Sequence, residues 1–209
     1  MGDSDRFSAL RADMVSNQLA ARGITDSEVL RAMGKMPRHR FVPSDVQDKA
    51  YNDQAISLGP GQSISQPYVV ALMLQSVEIQ AGDKVLDVGT GSGYQTALLA
   101  ELGAEVYSIE IDPALSRRSG KLLRLLGYSE IHLRSGDGKR GWREAAPFDA
   151  IVVSAACEEI PRDLVRQLKI GGRIVLPLGE DYQYLIMMEK TEDGLKTEEL
   201  GSVQFVKMK

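Results

Sequence analysis

The chain has 209 residues, 43% of them hydrophobic, which is enough for one sizeable core with or without a small appended subdomain. Its formal net charge of −4, with both signs scattered, gives no basic field for nucleic acid and no polybasic membrane patch, so small molecules or peptides are the expected partners. The single cysteine, Cys157, excludes an internal disulfide and fits a reducing compartment, and no apolar run reaches the about 18 residues of a membrane helix.

In chain order, the acidic start Met1-Gly2-Asp3-Ser4-Asp5-Arg6 has neither an apolar signal core nor a myristoylation pattern, so a soluble, cytoplasmic protein is expected. Leu10, Met14, Val15 and Leu19 lie at helical spacing over residues 7–22, and Gly23 supplies a stop. Asp26 is a cap candidate for a second helix that buries Val29, Leu30 and Met33 and ends before Pro37. Residues 52–66 are rich in turn residues and show no period, which predicts a long structured loop whose Ile56, Leu58 and Ile64 pack against something. Pro67 suits the first turn of a helix running to about Val77.

Strand and helix patterns then alternate, with strands predicted at 85–88, 106–111, 131–133, 148–153 and 173–176 and helices at 94–102, 113–126 and 161–168. Two further strands, 184–189 and 202–206, have no helical pattern between them, which predicts an antiparallel hairpin. The expected fold is α/β: a doubly wound, mostly parallel seven-stranded sheet with a C-terminal antiparallel hairpin and an N-terminal helical extension. One domain is expected, with residues 1–78 forming the helical and substrate-loop region and 79–209 the cofactor-binding core.

Ligands of an open parallel sheet sit beyond the carboxyl ends of its strands. The first strand runs into Gly89-Thr90-Gly91-Ser92-Gly93-Tyr94, where glycines let the backbone turn sharply and meet a ligand closely. The dinucleotide fingerprint has its third glycine where this chain has Tyr94, so the loop points to S-adenosylmethionine rather than NAD. Glu110 ends the second strand, where a carboxylate can accept from two ribose hydroxyls. Asp137, between Gly136 and Gly138 after the third strand, is placed to accept from an adenine amino group. Taken singly, these residues also read as a tight turn, a surface carboxylate and a self-bonded turn residue; in series they fit one adenosyl group. No Gly-x-Ser-x-Gly elbow and no Cys and His cluster with metal-ligand spacing is present, and His39 and His132 read as ordinary loop and strand residues. Cys157 reads as a small semi-buried residue, and Lys139, Arg140 and Arg143 as a solvated face or a rim for acidic peptides.

From Val15 to Val206 the chain resembles the protein-L-isoaspartate O-methyltransferase family. The resemblance rests on VLDVGTGSGYQ at 85–95, PRHRFV at 37–42, GQSISQPY at 61–68, GDG at 136–138, PFDAIVVSAA at 147–156 and GGRIVLPLG at 171–179, with GQSISQP the most specific part. It implies a Rossmann-like methyltransferase fold. The implied reaction is methyl transfer from S-adenosylmethionine, leaving S-adenosylhomocysteine, to the α-carboxylate of isoaspartyl residues in damaged proteins or peptides. The resulting ester then closes to a succinimide. Ser65 corresponds to the active-site serine that orients the carboxylate, although it also fits as a helix cap before Pro67. Cofactor contacts are implied at Ser63, Ile64, Asp87, Gly89, Thr90, Gly91, Ser92, Gly93, Tyr94, Glu110, Ile111, Asp137, Gly138 and Gln183, and substrate contacts at Ile64, Ser65, Gln66 and Val206. No metal, nucleic acid or membrane partner is expected, and a monomer is. The chain departs from the family at Ser57, Ser63, Cys157 and Glu158 and in its C-terminal Gln204-Phe205-Val206-Lys207-Met208. The alternatives are a methyltransferase of the same fold for another small acceptor, and a non-catalytic sensor that binds the cofactor.

Overall fold

The computed structural model describes residues 3–59 and 61–209, with the side chains of 3–5 not described. The Met1-Gly2 start read for targeting signals and Pro60 of the 52–66 segment lie outside the described residues.

The first helix, α1 (Asp3–Asp13), continues as a π-helical turn over Met14–Leu19 and a 3-10 turn over Ala20–Arg22. Met14 and Leu19 are five positions apart and both fully buried; the wider π turn brings both to one face, which a regular α-helix does not. Gly23 ends the segment in the left-handed conformation expected of it, with φ of 94°. In α2 (Ser27–Lys35), the Asp26 carboxylate accepts from the Glu28 and Val29 amides, as its cap reading requires.

The 52–66 segment is more ordered than a loop. It holds the hairpin β1 (Ile56–Gly59) and β2 (Gln62–Ile64), with Ile56 paired to Ile64 and both side chains buried. The alternation is real, but two strands of three and four residues are too short to establish a period. Next, α3 (Pro67–Ser76) begins with Pro67 in its first turn, where the missing N–H costs no hydrogen bond.

The large sheet comprises β3 (Lys84–Val88), β4 (Glu105–Glu110), β5 (His132–Ser135), β6 (Phe148–Val153), β7 (Leu168–Leu178), β8 (Gln183–Thr191) and β9 (Gly194–Val203). The helices α4 (Tyr94–Glu101), α5 (Pro113–Leu125) and α6 (Arg162–Arg166) connect its strands. The strand order is β5-β4-β3-β6-β7-β8-β9; the first five are mutually parallel and β8 runs antiparallel to both its neighbours. Alternate residues face two cores. Val85, Val106, Ala150 and Val152 join the core shared with α2, α3 and α4, whereas Leu86, Val88, Ile109, Ile151 and Val153 pack with Leu164 of α6. Burial on both faces accounts for the near-continuous apolar strands.

The main departures from the expected boundaries are at β7, α6 and the last strand. β7 begins at Leu168 rather than Arg173, and its pairing with β6 jumps from Phe148↔Leu168 to Ala150↔Arg173 across Gly171-Gly172. α6 is correspondingly short. The last strand is Gly194–Val203 rather than 202–206, joined to β8 by a turn at Glu192-Asp193. Most of it is exposed at the sheet edge, so it carries little of the apolar alternation that marks a strand in sequence. Residues 204–209 instead run back beside the segment after β6, where the Ala156 amide donates to Val206 O (2.8 Å) and the Met208 amide to Ala156 O (2.8 Å). Among the described residues, no helix is long and apolar enough to cross a membrane.

Candidate active site

From β3 the chain connects toward β4 on one side, and from β6 toward β7 on the other, so the order reverses between β3 and β6. Such a switch point leaves a crevice beyond the carboxyl ends of the strands. A cavity of about 240 Å³ lies there, walled by the β1–β2 hairpin, the glycine loop, the ends of β4 and β6, and the C-terminal tail.

The glycine loop is tightly anchored. The Gly89 and Thr90 amides donate to Ile109 O (2.8 and 3.2 Å), and Gly91 O accepts from the Ser119 hydroxyl of α5. A Cβ on Gly91 would meet only Gly89 O, at 3.7 Å, so the open side of this residue, at φ of 53°, faces the cavity. Gly138 closes the wall from the opposite direction, since a Cβ there would lie 2.5 Å from Val88 Cγ1. Glu110 is 6% exposed; its Oε2 accepts from the Gly91 amide (2.8 Å) and its Oε1 from the Asp112 amide (3.0 Å). A carboxylate offers about four acceptor positions, so two remain. Asp112 caps α5 and accepts from Gln62 Nε2 (3.3 Å), and the Leu115 and Ala114 amides hold its carboxyl below the usual range.

Of the residues singled out in the sequence, Ser63, Ile64, Ser65, Gly89, Thr90, Gly91, Ser92, Tyr94, Glu110, Ile111, Gly138 and Val206 all line this one cavity. Asp87, Gly93, Gln66, Asp137 and Gln183 do not. Asp87 is buried behind the wall, where it accepts from Gln95 Nε2 (3.0 Å), Thr96 Oγ1 (2.6 Å) and Ser108 Oγ (2.8 Å), and burial raises its pKa. Gly93 is the N-cap of α4. Gln66 is the N-cap of α3 without a side-chain cap bond, and its Nε2 donates to Asp53 O (3.2 Å). The cap position therefore falls on Gln66 and not on Ser65, and Ser65 is itself a lining residue of the cavity. The Asp137 carboxylate accepts from the Lys139 amide (2.9 Å) beside the lining residue Gly138. Gln183 grips the tail instead: its Nε2 donates to Phe205 O (3.1 Å), and its Oε1 accepts from the Phe205 amide (2.6 Å).

Cys157 is buried beside Met208, with its thiol pushed up to about 11 by burial, and it does not line the cavity. His39 bonds Tyr51 and stacks on Phe7, and His132 stacks on Tyr107; neither is a wall residue. Among the described residues, no group of three or more His, Cys, Asp or Glu is placed to hold a metal ion.

Several wall residues escaped the sequence reading. Ser154 and Ala155 immediately follow β6, so the strand-end rule applied to that strand would have reached them. Gln62 and Gln95 fall within the motifs GQSISQPY and VLDVGTGSGYQ without a role being assigned to either, and Asp112, Lys207 and Lys209 owe their place on the wall to elements distant in sequence. Arg38, quoted only as part of PRHRFV, is fully buried, donates to Ala50 O and Ser65 O (both 2.7 Å), and lies 4.7 Å from the centre of the Tyr94 ring.

A parallel sheet with its crevice at the switch point, an anchored glycine loop and a strand-end carboxylate define a nucleotide-cofactor-binding α/β protein of the doubly wound class. The sequence pattern of the protein-L-isoaspartate(D-aspartate) O-methyltransferase (PCMT) family matches residues 10–209, and the chain belongs to that family. It is 53% identical, over 95% of its length and 83% of the relative's, to protein-L-isoaspartate O-methyltransferase 2 of Anaeromyxobacter sp.. A solved protein-L-isoaspartate O-methyltransferase superposes with a TM-score of 0.86 at 25% identity, covering 94% of this chain and 65% of that longer one. A putative family member from Plasmodium falciparum, solved in complex with S-adenosyl-L-homocysteine, gives a TM-score of 0.80 at 26% identity over 95% of this chain and 98% of its own.

Proposed function

We propose that this protein transfers a methyl group from S-adenosylmethionine to the α-carboxylate of L-isoaspartyl residues in damaged proteins or peptides, starting a repair that proceeds through a succinimide. One observation carries the reading: Ser65 of the hairpin strap and Glu110 of the sheet line a single cavity, with the glycine loop between them.

The wall suits the donor. Glu110 keeps two acceptor positions for ribose hydroxyls, the backbone at Gly91 leaves room for close approach, and Ile109, Ile111 and Leu115 give an apolar surface for a nucleobase bounded by Gly138 and the adjoining Asp137. Bound S-adenosylmethionine supplies a methyl group made electrophilic by its positive sulfonium.

The acceptor needs no general base. A carboxylate with a reference pKa of about 4 is already an anion near neutral pH, so the absence of histidine from the described wall fits the chemistry. The carboxylate oxygen forms the new O–CH3 bond as the S–CH3 bond breaks, and the negative and positive charges cancel together. Ser65, whose hydroxyl has no hydrogen-bond partner among the described residues, is the donor that fixes the direction of the carboxylate. Ile64, Val206 and Met208 limit water around it.

The reading includes one functional domain, because a single apolar core runs from Met14 and Met33 of the helical region to Val85 and Val152 of the sheet. It also includes a cytoplasmic monomer that engages protein and not nucleic acid or membrane, in keeping with scattered charge and a net −4. Incubation with methyl-labelled donor and a synthetic isoaspartyl peptide should yield a base-labile methyl ester, with none on the aspartyl control. Absence of ester on both peptides refutes the assignment.

A further inference from the structure

Gln95 occupies the first turn of α4, is 8% exposed and lines the cavity. Its amide orientation is set from behind. Nε2 donates both to Asp87 Oδ1 (3.0 Å) and to Ser154 Oγ (2.8 Å), which commits both amide protons. Asp87 cannot release its share: it is fully buried, and its other oxygen is already held by Thr96 and Ser108. Gln95 Oε1 is therefore the one polar atom of that side chain left over, with no partner among the described residues. Ser154 is complementary, because its oxygen accepts from Gln95 and its own proton is free to donate while its backbone is fixed by the bond from its amide to Val88 O (2.8 Å). The pair thus presents one oriented acceptor and one oriented donor side by side on the wall.

Their position along the crevice says what they receive. Glu110 ends β4, the glycine loop follows β3, and Ser154 follows β6, three adjacent strands in that order. Neighbouring strands are about 4.8 Å apart, so Ser154 lies about 10 Å across the crevice from Glu110. A nucleoside gripped at its ribose by Glu110 and extended over the glycine loop brings its 5′ substituent to Gln95 and Ser154. For this cofactor that substituent ends in an amino acid, which carries an ammonium to donate and a carboxylate to accept.

Resting on the methyl-donor reading above, we propose that Gln95 and Ser154 form the subsite for the amino-acid end of the donor. Gln95 Oε1 accepts from the ammonium and the Ser154 hydroxyl donates to the carboxylate. Asp87 is the positioning residue behind them, holding the Gln95 amide so that its carbonyl faces the crevice.

The test compares two nucleosides by titration calorimetry: S-adenosylhomocysteine, and 5′-methylthioadenosine, which keeps the adenosyl thioether and lacks the amino acid. Gln95→Met and Ser154→Ala should each weaken S-adenosylhomocysteine by about tenfold, the scale of one hydrogen bond to a charged group, and leave methylthioadenosine within about twofold. Methylthioadenosine affinity also reports that the variant is folded; should Gln95→Met fail that check, Ser154→Ala decides alone. Equal weakening of both nucleosides, or unchanged S-adenosylhomocysteine affinity, overturns the inference while leaving the methyl-donor reading intact. Wild-type protein that binds neither nucleoside overturns both.

Discussion

Ser65 is held through its backbone carbonyl and not through its hydroxyl. The guanidinium of Arg38 donates to Ser65 O and to Ala50 O, joining the two ends of the segment that carries the hairpin, and its face lies over Tyr94 in the first turn of α4. Burial without a carboxylate partner lowers the pKa of Arg38, so its place is bought with two backbone carbonyls and one ring. Ser65→Ala leaves these backbone bonds untouched and removes only the hydroxyl of a residue that lines the cavity. It should lower kcat on an isoaspartyl peptide by about 10- to 100-fold, the range for losing one oriented donor at a reacting oxyanion, with S-adenosylhomocysteine affinity within about twofold of wild type. Steady-state kinetics and calorimetry check the two halves, and an unchanged kcat removes Ser65 from the chemistry. Ser65, Gly91 and Glu110 were legible in the sequence because turn chemistry, strand ends and the family motif mark them locally. Arg38 and Gln95 lie inside the motifs PRHRFV and VLDVGTGSGYQ, but their roles were not legible, nor was that of Asp112, since each acts through a partner that only the tertiary fold supplies.

Between elements, Glu101 ties the N-terminal helices to the sheet. It sits at the carboxyl end of α4, an unfavourable place for an anion against the helix dipole, but accepts from Arg31 Nη1 (3.0 Å), Lys35 Nζ (2.8 Å) and Tyr128 Oη (3.0 Å). Burial pushes the Glu101 carboxyl up, and the bonds from Lys35, Arg31 and Tyr128 outweigh that and hold it below its ordinary value. Because the Arg31 and Lys35 side chains are 46% and 66% exposed, Glu101→Gln should cost only about 1 kcal/mol at pH 7, read as a lower urea midpoint. A depressed folded pKa stabilises above the unfolded value of about 4.3 and the contribution is lost as pH falls through the folded pKa, so the gap between wild type and variant should close in acid. A gap of equal size at pH 7 and pH 3 contradicts this account. Elements bounded by strong local punctuation, such as the stop at Gly23, the cap at Asp26 and Pro67, could be read from sequence. The π turn at Met14–Leu19, the β1–β2 hairpin and the start of β9 could not, because burial demand, brevity and edge exposure respectively hide their period.

Across the whole molecule the charge is negative, yet the tail brings Lys207 and Lys209 to the cavity wall, both exposed and without an ion-pair partner among the described residues. Gln183 and the Ala156 backbone hold that tail in place, so both lysines stay on the cavity wall, where they would attract an anionic substrate group. A unit charge at about 10 Å in water contributes only about 0.4 kcal/mol, but reversing both lysines changes four charges and sums to about 1.7 kcal/mol unscreened, which low salt reduces to roughly 0.7 to 1.4 kcal/mol, about three- to tenfold in encounter affinity. Lys207→Glu combined with Lys209→Glu should therefore raise KM for an isoaspartyl peptide by about three- to tenfold at low salt, with kcat within about twofold. Because the groups act through solvent, the effect should shrink toward unity as ionic strength rises to about 1 M, where the Debye length falls to about 3 Å. A KM ratio that keeps its size across the salt series would instead mean that the lysines contact the substrate directly, and an unchanged KM at low salt would remove them from substrate capture.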